Sequence, residues 1–512
     1  MDRLLPDPAP VLAAGVTLAL AVVARPGSVP DGPEMAAAGG CLLRLGLDAS
    51  ACAGVEPFFW MPAFPLLAGV ASLVTDPWSA SHAAAAVCTG LFVIPLAAIG
   101  RRLSVPAPAV IASALLLATP AIHALVAQSS GRALAWLAIL GAVATAMSLR
   151  DEGVQQMRRG AAVGALLGLA VLSRREAVVQ AALVGVVLLP FAPRAARAAF
   201  AACGLVVLPW FAALALAADG PRLGGRAWEP VVYAWDAVVP HEWLLMEISM
   251  GTWGTPLRRA VSGLTGGNGL GGLDAAGLTG WLRYALPVAV PAWLAALALG
   301  GSILLLRRRG GWRVLSSAAL LGLPALPLAI APNARAVELP AQNLHPIVLA
   351  CAVPAMVAAG RALVTLRARL PGGRWSAGVL LMTVLTGASM GNAAWVAQVV
   401  PMDHISPATL AAAGADLTEG DTPVVTTLNA AIAARRGDRP RAALPSPYRI
   451  GEAPLAAGDA VLITELDLPG ARRTLRALSP ALTPARVLVD GEAWAVRFQV
   501  EASEPALEQS PP

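Results

Sequence analysis

Long apolar runs, parted by short stretches that carry arginine, set the pattern of this chain. The first is VLAAGVTLALAVVA, ending just before Arg25. Uncharged runs of this length predict helices in lipid rather than amphipathic surface helices, because the bilayer core leaves backbone amides no water to bond and admits few charges. Read this way, spans fall near residues 10–25, 80–100, 106–126, 133–149, 160–172, 176–192, 199–218, 286–306, 314–331, 343–360 and 376–396, about eleven in all. The segments 160–172 and 176–192 are short, and Ser173-Arg174-Arg175-Glu176 interrupts them. Two half-length helices with their join buried in protein are predicted there, since lipid cannot satisfy an exposed break. The expected fold class is a polytopic α-helical membrane protein.

The pattern changes near residue 397. DTPVVTTLNAAIAARRGDRPRAALPSP reads as strand, helix and second strand, AVLITELDLPGARRTLRAL as strand then helix, and ARVLVDGEAWAVRFQV as a hairpin turning at Asp490-Gly491. The expected organisation is a transmembrane domain over 1–396 and a small soluble α/β domain over 397–512. The tail has no glycine-rich phosphate loop and no metal-like spacing of His or Cys, so binding or shielding suits it better than chemistry.

Composition agrees and narrows the partners. Hydrophobic residues make up 57% and charged residues 13%, with a mean hydropathy of +0.67, values outside those of soluble domains. All 37 basic residues are arginine. A GC-rich coding bias accounts for that, and its consequence is that no role can fall to lysine. The net charge of +6 sits mostly in short inter-span loops and gives no ground for a nucleic-acid partner. Arg101 and Arg102, then Arg150, Arg158 and Arg159, then Arg194 and Arg197 mark alternate turns, followed by Arg307, Arg308, Arg309 and Arg313 and by Arg361, Arg367, Arg369 and Arg374. The positive-inside rule makes those loops cytoplasmic. A first outer loop (26–79), a long outer loop (219–284) and the tail then face the other side. The first run has the length of a signal-peptide core, with VVA before Arg25 as a cleavage site, but a retained span keeps the arginine loops in step. Of the five cysteines, Cys88, Cys203 and Cys351 fall in spans, whereas Cys41 and Cys52 share the first outer loop, where a bridge or two free thiols are both open.

That loop also carries the candidate chemistry. Asp31 and Glu34 stand just past the first span and Glu56 precedes the return to the bilayer. A carboxylate at a membrane boundary is costly to hold and chemically useful. Asp31-Gly32-Pro33-Glu34 also suits a turn that caps the following helix, with Pro33 at its first position and Glu34 in the first turn. The two roles are compatible.

Four segments in series resemble the GT-C glycosyltransferases, the membrane enzymes dependent on polyprenyl-phosphate sugars and related to protein O-mannosyltransferases. Asp31 to Ala36, with Leu42 to Gly46 behind, is similar to the acidic segment of their first outer loop. Met61-Pro62-Ala63-Phe64-Pro65-Leu66-Leu67 is similar to their P-x-Y-P-L-L run, and Gly164 to Val179 to their G-L-x-x-G-L-A-x-L-T-R-P-E-A run. Asn333 to Pro346 takes the place of their R-Y-L-L-P loop, though with Gln342-Asn343-Leu344-His345-Pro346 where Arg-Tyr is usual, and Arg175 replaces the proline of T-R-P-E. The resemblance covers nearly the whole chain in order.

It implies sugar transfer from a polyprenyl-phosphate donor to an unknown acceptor at the outer face of a bacterial inner membrane, with inversion at the anomeric carbon. Asp31 would be the base and Glu56 its assistant, with Glu34 nearby at the substrate. Arg174, Arg175 or Arg335 would hold the phosphate, which needs a cation at bilayer depth. The plainer reading of Arg174 and Arg175 is a pair snorkelling to headgroups. Arg132, in the turn QSSGR, is a further cation, and His345 reads as a packing residue. No cofactor or metal site is evident, although two carboxylates at one site can recruit a divalent ion. Trp228, Tyr233, Trp235, Trp243, Trp253 and Trp281 give the long outer loop an interfacial belt or a sugar-stacking surface. SGLTGGNGLGGLDAAG lacks the lysine and preceding strand of a phosphate loop and reads as a lid or linker. The competing classes are a transporter or lipid-linked glycan carrier, and a degenerate relative acting as a binding module.

Overall fold

The computed structural model describes residues 7–24, 31–44, 61–127, 129–149, 154–174, 177–190, 192–217, 290–308 and 345–369, five strands between 424 and 500, and a few single positions within 310–318 and at 387. Thirteen helices among the described residues are numbered here in chain order: α1 (Ala9–Val23), α2 (Asp31–Arg44), α3 (Ala63–Ser72), α4 (Pro77–Gly90), α5 (Val93–Arg102), α6 (Pro108–Ala118), α7 (Pro120–Ala127), α8 (Arg132–Ala146), α9 (Val154–Ser173), α10 (Ala177–Leu188), α11 (Pro193–Ala217), α12 (Ala292–Leu306) and α13 (His345–Arg369). The chain divides into two compact units, one of Met1–Arg25, Ala85–Val126 and Gly131–Val400, the other of Pro26–Ala84, Ala127–Ser130 and Pro401–Pro512.

Three stretches are long and apolar enough to cross a membrane: Pro77–Arg102, which joins α4 to α5, Pro193–Ala213 of α11 and Ile347–Arg369 of α13. A fourth, α6 with α7, passes the same test as a pair bent by 72°. The bend falls at Thr119-Pro120, where proline has no N–H to continue the ladder. The span predicted over 106–126 is therefore built of two helices. Across the break, the His123 ring bonds through Nε2 to the Leu117 carbonyl at 2.7 Å, an acceptor left over at the end of α6. Shorter apolar helices include α1, α3, α8 and α12. The predicted spans 314–331 and 376–396 lie almost wholly outside the described residues.

The predicted break after Ser173 is present, but its first arm is not half-length. α9 holds 20 residues, about 30 Å at 1.5 Å per residue. It begins N-terminal to Arg158 and Arg159, and α11 likewise takes in Arg194 and Arg197. Charge marks where the apolar run stops, whereas the backbone stays helical beyond it. That is why the sequence pattern undercounts these helices.

Within the first unit the helices meet backbone to backbone. Gly160 and Gly164 of α9 lie against the backbones of Ala195 and Ala199 of α11, and Gly168 lies against Val206, so one small-residue row carries the whole crossing. Gly301 of α12 meets the Pro354 carbonyl of α13 in the same way. Hydroxyls in these helices turn inward on their own backbone: Thr89 to Ala85, Ser113 to Ala109, Thr145 to Gly141, Ser173 to Leu169 and Ser302 to Ala298, each to the carbonyl four residues back. Large apolar side chains stand exposed along single faces, among them Leu18 and Val22 of α1, Leu205 and Leu208 of α11 and Leu299 and Leu306 of α12. Such faces suit lipid as solvent. At the polar ends, Arg101 pairs with Asp7 at 2.7 Å and Arg308 donates to the Leu103 carbonyl at 2.7 Å.

The second unit holds α2, α3 and the strands β1 (Val424–Thr427), β2 (Pro440–Leu444), β3 (Ala460–Thr464), β4 (Leu482–Asp490) and β5 (Ala493–Val500). They form one mixed sheet in the order β2-β1-β3-β5-β4. β1 lies parallel to both β2 and β3, while β5 runs antiparallel to β3 and β4, with Asp490 paired to Ala493 at the hairpin predicted there. The helices predicted between the strands lie outside the described residues.

Cys41 is disulfide-bonded, and Cys88, Cys203 and Cys351 are free. The remaining cysteine, Cys52, lies outside the described residues. Peptide mapping by mass spectrometry, without reductant, is expected to recover a Cys41–Cys52 cross-linked pair. Recovery of both as free thiols would remove the bridge.

Candidate active site

α2 is the element on which the candidate site is built. Asp31 is its first residue and Glu34 follows one turn later, so the two share the exposed-amide end of one helix. The helix expected to start at Pro33 starts two residues earlier, at Asp31; Pro33 is its third residue, still within the first turn, where its missing N–H costs nothing. Met35, Ala36, Ala38 and Cys41 are buried, and α2 packs against α3 along that side.

Two glycine contacts seat this helix. At its middle, Gly39 meets the backbone of Pro65, and Gly69 of α3 meets Gly39 and Gly40 in return. The Met61 to Leu67 run explains this partner. Pro62 caps α3, Phe64 and Pro65 are buried in its first turn, and a proline-fixed backbone presents a carbonyl where Gly39 can approach it. At its start, a Cβ on Gly32 would stand 2.5 Å from the Ser129 carbonyl oxygen, 2.8 Å from the Ser129 Cβ and 3.1 Å from the Ser81 hydroxyl. No side chain fits there. Ser129 itself takes a left-handed conformation, φ 52°, and is buried, as are Ser81 and Ser130. Ser81 belongs to α4, which Asp76 starts by accepting the N–H groups of Trp78 and Ser79, both at 3.1 Å.

The other predicted residues distribute as follows. Arg174 follows the last residue of α9: its N–H bonds to Ala170 at 3.0 Å, and its carbonyl accepts from Ala177 at 3.1 Å, which sets the turn into α10. Its side chain is half-buried and its Nε is shut off from solvent. It belongs to the first unit and α2 to the second. Arg132, at the start of α8, is half-buried and also belongs to the first unit. Glu56, Arg175 and Arg335 lie outside the described residues, as does the long loop 219–284 with its aromatic residues. Among the described residues no three of His, Cys, Asp and Glu group as metal ligands. The serines at 81, 129 and 130 were not nominated by sequence. The only signal for Ser129 and Ser130 is the turn QSSGR, whose arginine is the residue of interest there, and Ser81 gives none.

This is a helical membrane protein with the fold of the GT-C glycosyltransferases. Among solved structures the chain is similar to ArnT from Cupriavidus metallidurans bound to undecaprenyl phosphate, at 14% identity and a TM-score of 0.54, covering 95% of this chain and 97% of that one. It is also similar to the archaeal oligosaccharyltransferase AglB from Archaeoglobus fulgidus, in complex with an inhibitory peptide and a dolichol-phosphate, at 13% identity and a TM-score of 0.48, covering 84% of this chain and 64% of that one. The second likeness is too weak to carry weight. No protein-family model matches the chain, and no curated protein matches it in sequence.

Proposed function

We propose that the protein is a glycosyltransferase that moves a sugar from a polyprenyl-phosphate carrier to an acceptor hydroxyl at the outer face of a bacterial inner membrane. The observation that carries this reading is α2: an ArnT-like fold in which the helix after α1 begins on Asp31 and is seated by a contact only glycine permits. In the proposed step, Asp31 takes the acceptor hydroxyl proton as its oxygen attacks the anomeric carbon. The bond from that carbon to the phosphate oxygen breaks on the opposite face. The electron pair leaves with the polyprenyl phosphate, and the anomeric configuration inverts. Glu56 assists in orienting the substrate, and Glu34 lies one turn from the base. Arg174, Arg175 and Arg335 are the cations assigned to the phosphate, where charge develops on the leaving group. A divalent ion drawn by the carboxylates would serve the same end. About eleven spans over 1–396 and an extracytoplasmic α/β domain over 397–512 complete the proposed architecture.

The test is lipid selectivity. The full chain in detergent micelles, probed by native mass spectrometry, is expected to retain undecaprenyl phosphate in preference to phosphatidylglycerol at equal concentration. Equal retention of the two lipids would sink the reading.

A further inference from the structure

We propose that the Ser130 hydroxyl is a substrate-binding group beside the start of α2, bonding a ring hydroxyl of the lipid-linked sugar; this rests on the glycosyltransferase reading above. The motive is a contrast among hydroxyls. Nearly every buried serine and threonine described here is satisfied by its own backbone, including Ser81, which donates to the Trp78 carbonyl at 3.0 Å, and Ser129, which reaches Ala127 at 3.4 Å. Ser130 is 2% exposed, and among the described residues its hydroxyl has no hydrogen-bond partner. It sits in a turn, where no carbonyl four residues back is in reach, so the usual remedy in apolar helices fails. Buried hydroxyls without partners are rare and call for an explanation.

Its position supplies one. Ser129, the residue before it, touches Gly32 through its carbonyl oxygen and Cβ. The peptide joining Ser129 to Ser130 is trans and planar, which puts the Ser130 Cα about 3 Å from that carbonyl oxygen. Ser130 therefore lies within about 6 Å of the first turn of α2, the turn that holds Asp31 and Glu34. All of these residues belong to one unit. The chemistry of that turn selects the ligand. Two carboxylates in sequence there disfavour a phosphate, whereas a neutral sugar hydroxyl can donate to a carboxylate and accept from a serine. A serine hydroxyl, donor and acceptor at once, matches a polyol better than an anion.

The test uses the full chain in detergent with two probes: undecaprenyl phosphate, and undecaprenyl phosphate carrying a single hexose. Ser130→Ala is expected to leave the unfolding temperature of the ligand-free protein unchanged or higher, because it deletes a group that bonds to nothing. The same variant is expected to bind the hexose-bearing probe about tenfold more weakly while holding the bare lipid as the parent does. A structural serine would move stability and both affinities together. Equal affinity of parent and variant for the hexose-bearing probe overturns the proposal, and so does a parallel loss for both probes. If the parent binds neither probe, the glycosyltransferase reading fails first. If it binds both and alanine changes nothing, only the role of Ser130 falls.

Discussion

Asp31→Asn is expected to lower sugar transfer by about a hundred- to ten-thousandfold, the range that a general base supplies. The substitution separates the two roles that the sequence leaves open at this position. Asparagine starts helices as well as aspartate does, so α2 should begin where it does now and Gly32 should keep its seat against Ser129. What asparagine cannot do is accept a proton. The measurement is transfer of labelled sugar from the polyprenyl-phosphate donor into lipid-extractable or polymeric product, with Asp31→Ala alongside. Correct insertion is checked by unfolding temperature. If Asp31 only caps the helix, the asparagine variant keeps full activity and the alanine variant loses stability. If it is the base, both lose transfer and the asparagine variant melts like the parent.

The second large effect is structural. Gly164→Leu is expected to destabilise the bundle by more than about 3 kcal/mol, the upper part of the range for forcing bulk into a filled interface. At Gly164 the obstacle is the Ala199 backbone of the neighbouring helix, which cannot rotate aside as a side chain can. α9 and α11 would have to separate along their full crossing, and the turn bearing Arg174 hangs from the end of α9. The expected result is aggregated or absent protein on size exclusion. Gly204→Leu is the control: it lies on α11 with nothing among the described residues within 4 Å of its added Cβ and should behave as the parent. Similar profiles for the two variants would mean that the row of glycines does not carry the crossing.

The helices were legible in the sequence because lipid imposes one rule on every residue of a span, and a local run of apolar residues is enough to satisfy it. The break after Ser173 and the hairpin at Asp490 were legible for a related reason, since each rests on neighbours in the chain. What escaped was set by distant partners. Nothing near Gly32 announces that Ser129 lies against it, because the two are joined only by the fold. The length of α9 escaped because Arg158 and Arg159 end the apolar run without ending the helix. The bend at Thr119-Pro120 escaped because proline is tolerated within spans, as Pro209 and Pro354 are in α11 and α13. Asp31 could be nominated by type and depth alone. A phosphate ligand could not be chosen among several arginines, because that choice depends on geometry.

The hydroxyls of Thr89, Ser113, Thr145, Ser173 and Ser302 are spent on their own helices and offer nothing across an interface. Hydrogen-bond glue between helices is thus not what these positions contribute, and fit is left to hold the bundle. Evolutionary drift should follow that division. A threonine or serine turned on its own carbonyl can become alanine without a neighbour registering the change. A glycine facing a backbone can become nothing else, so the record of this fold's history should be written in its smallest residues rather than its polar ones.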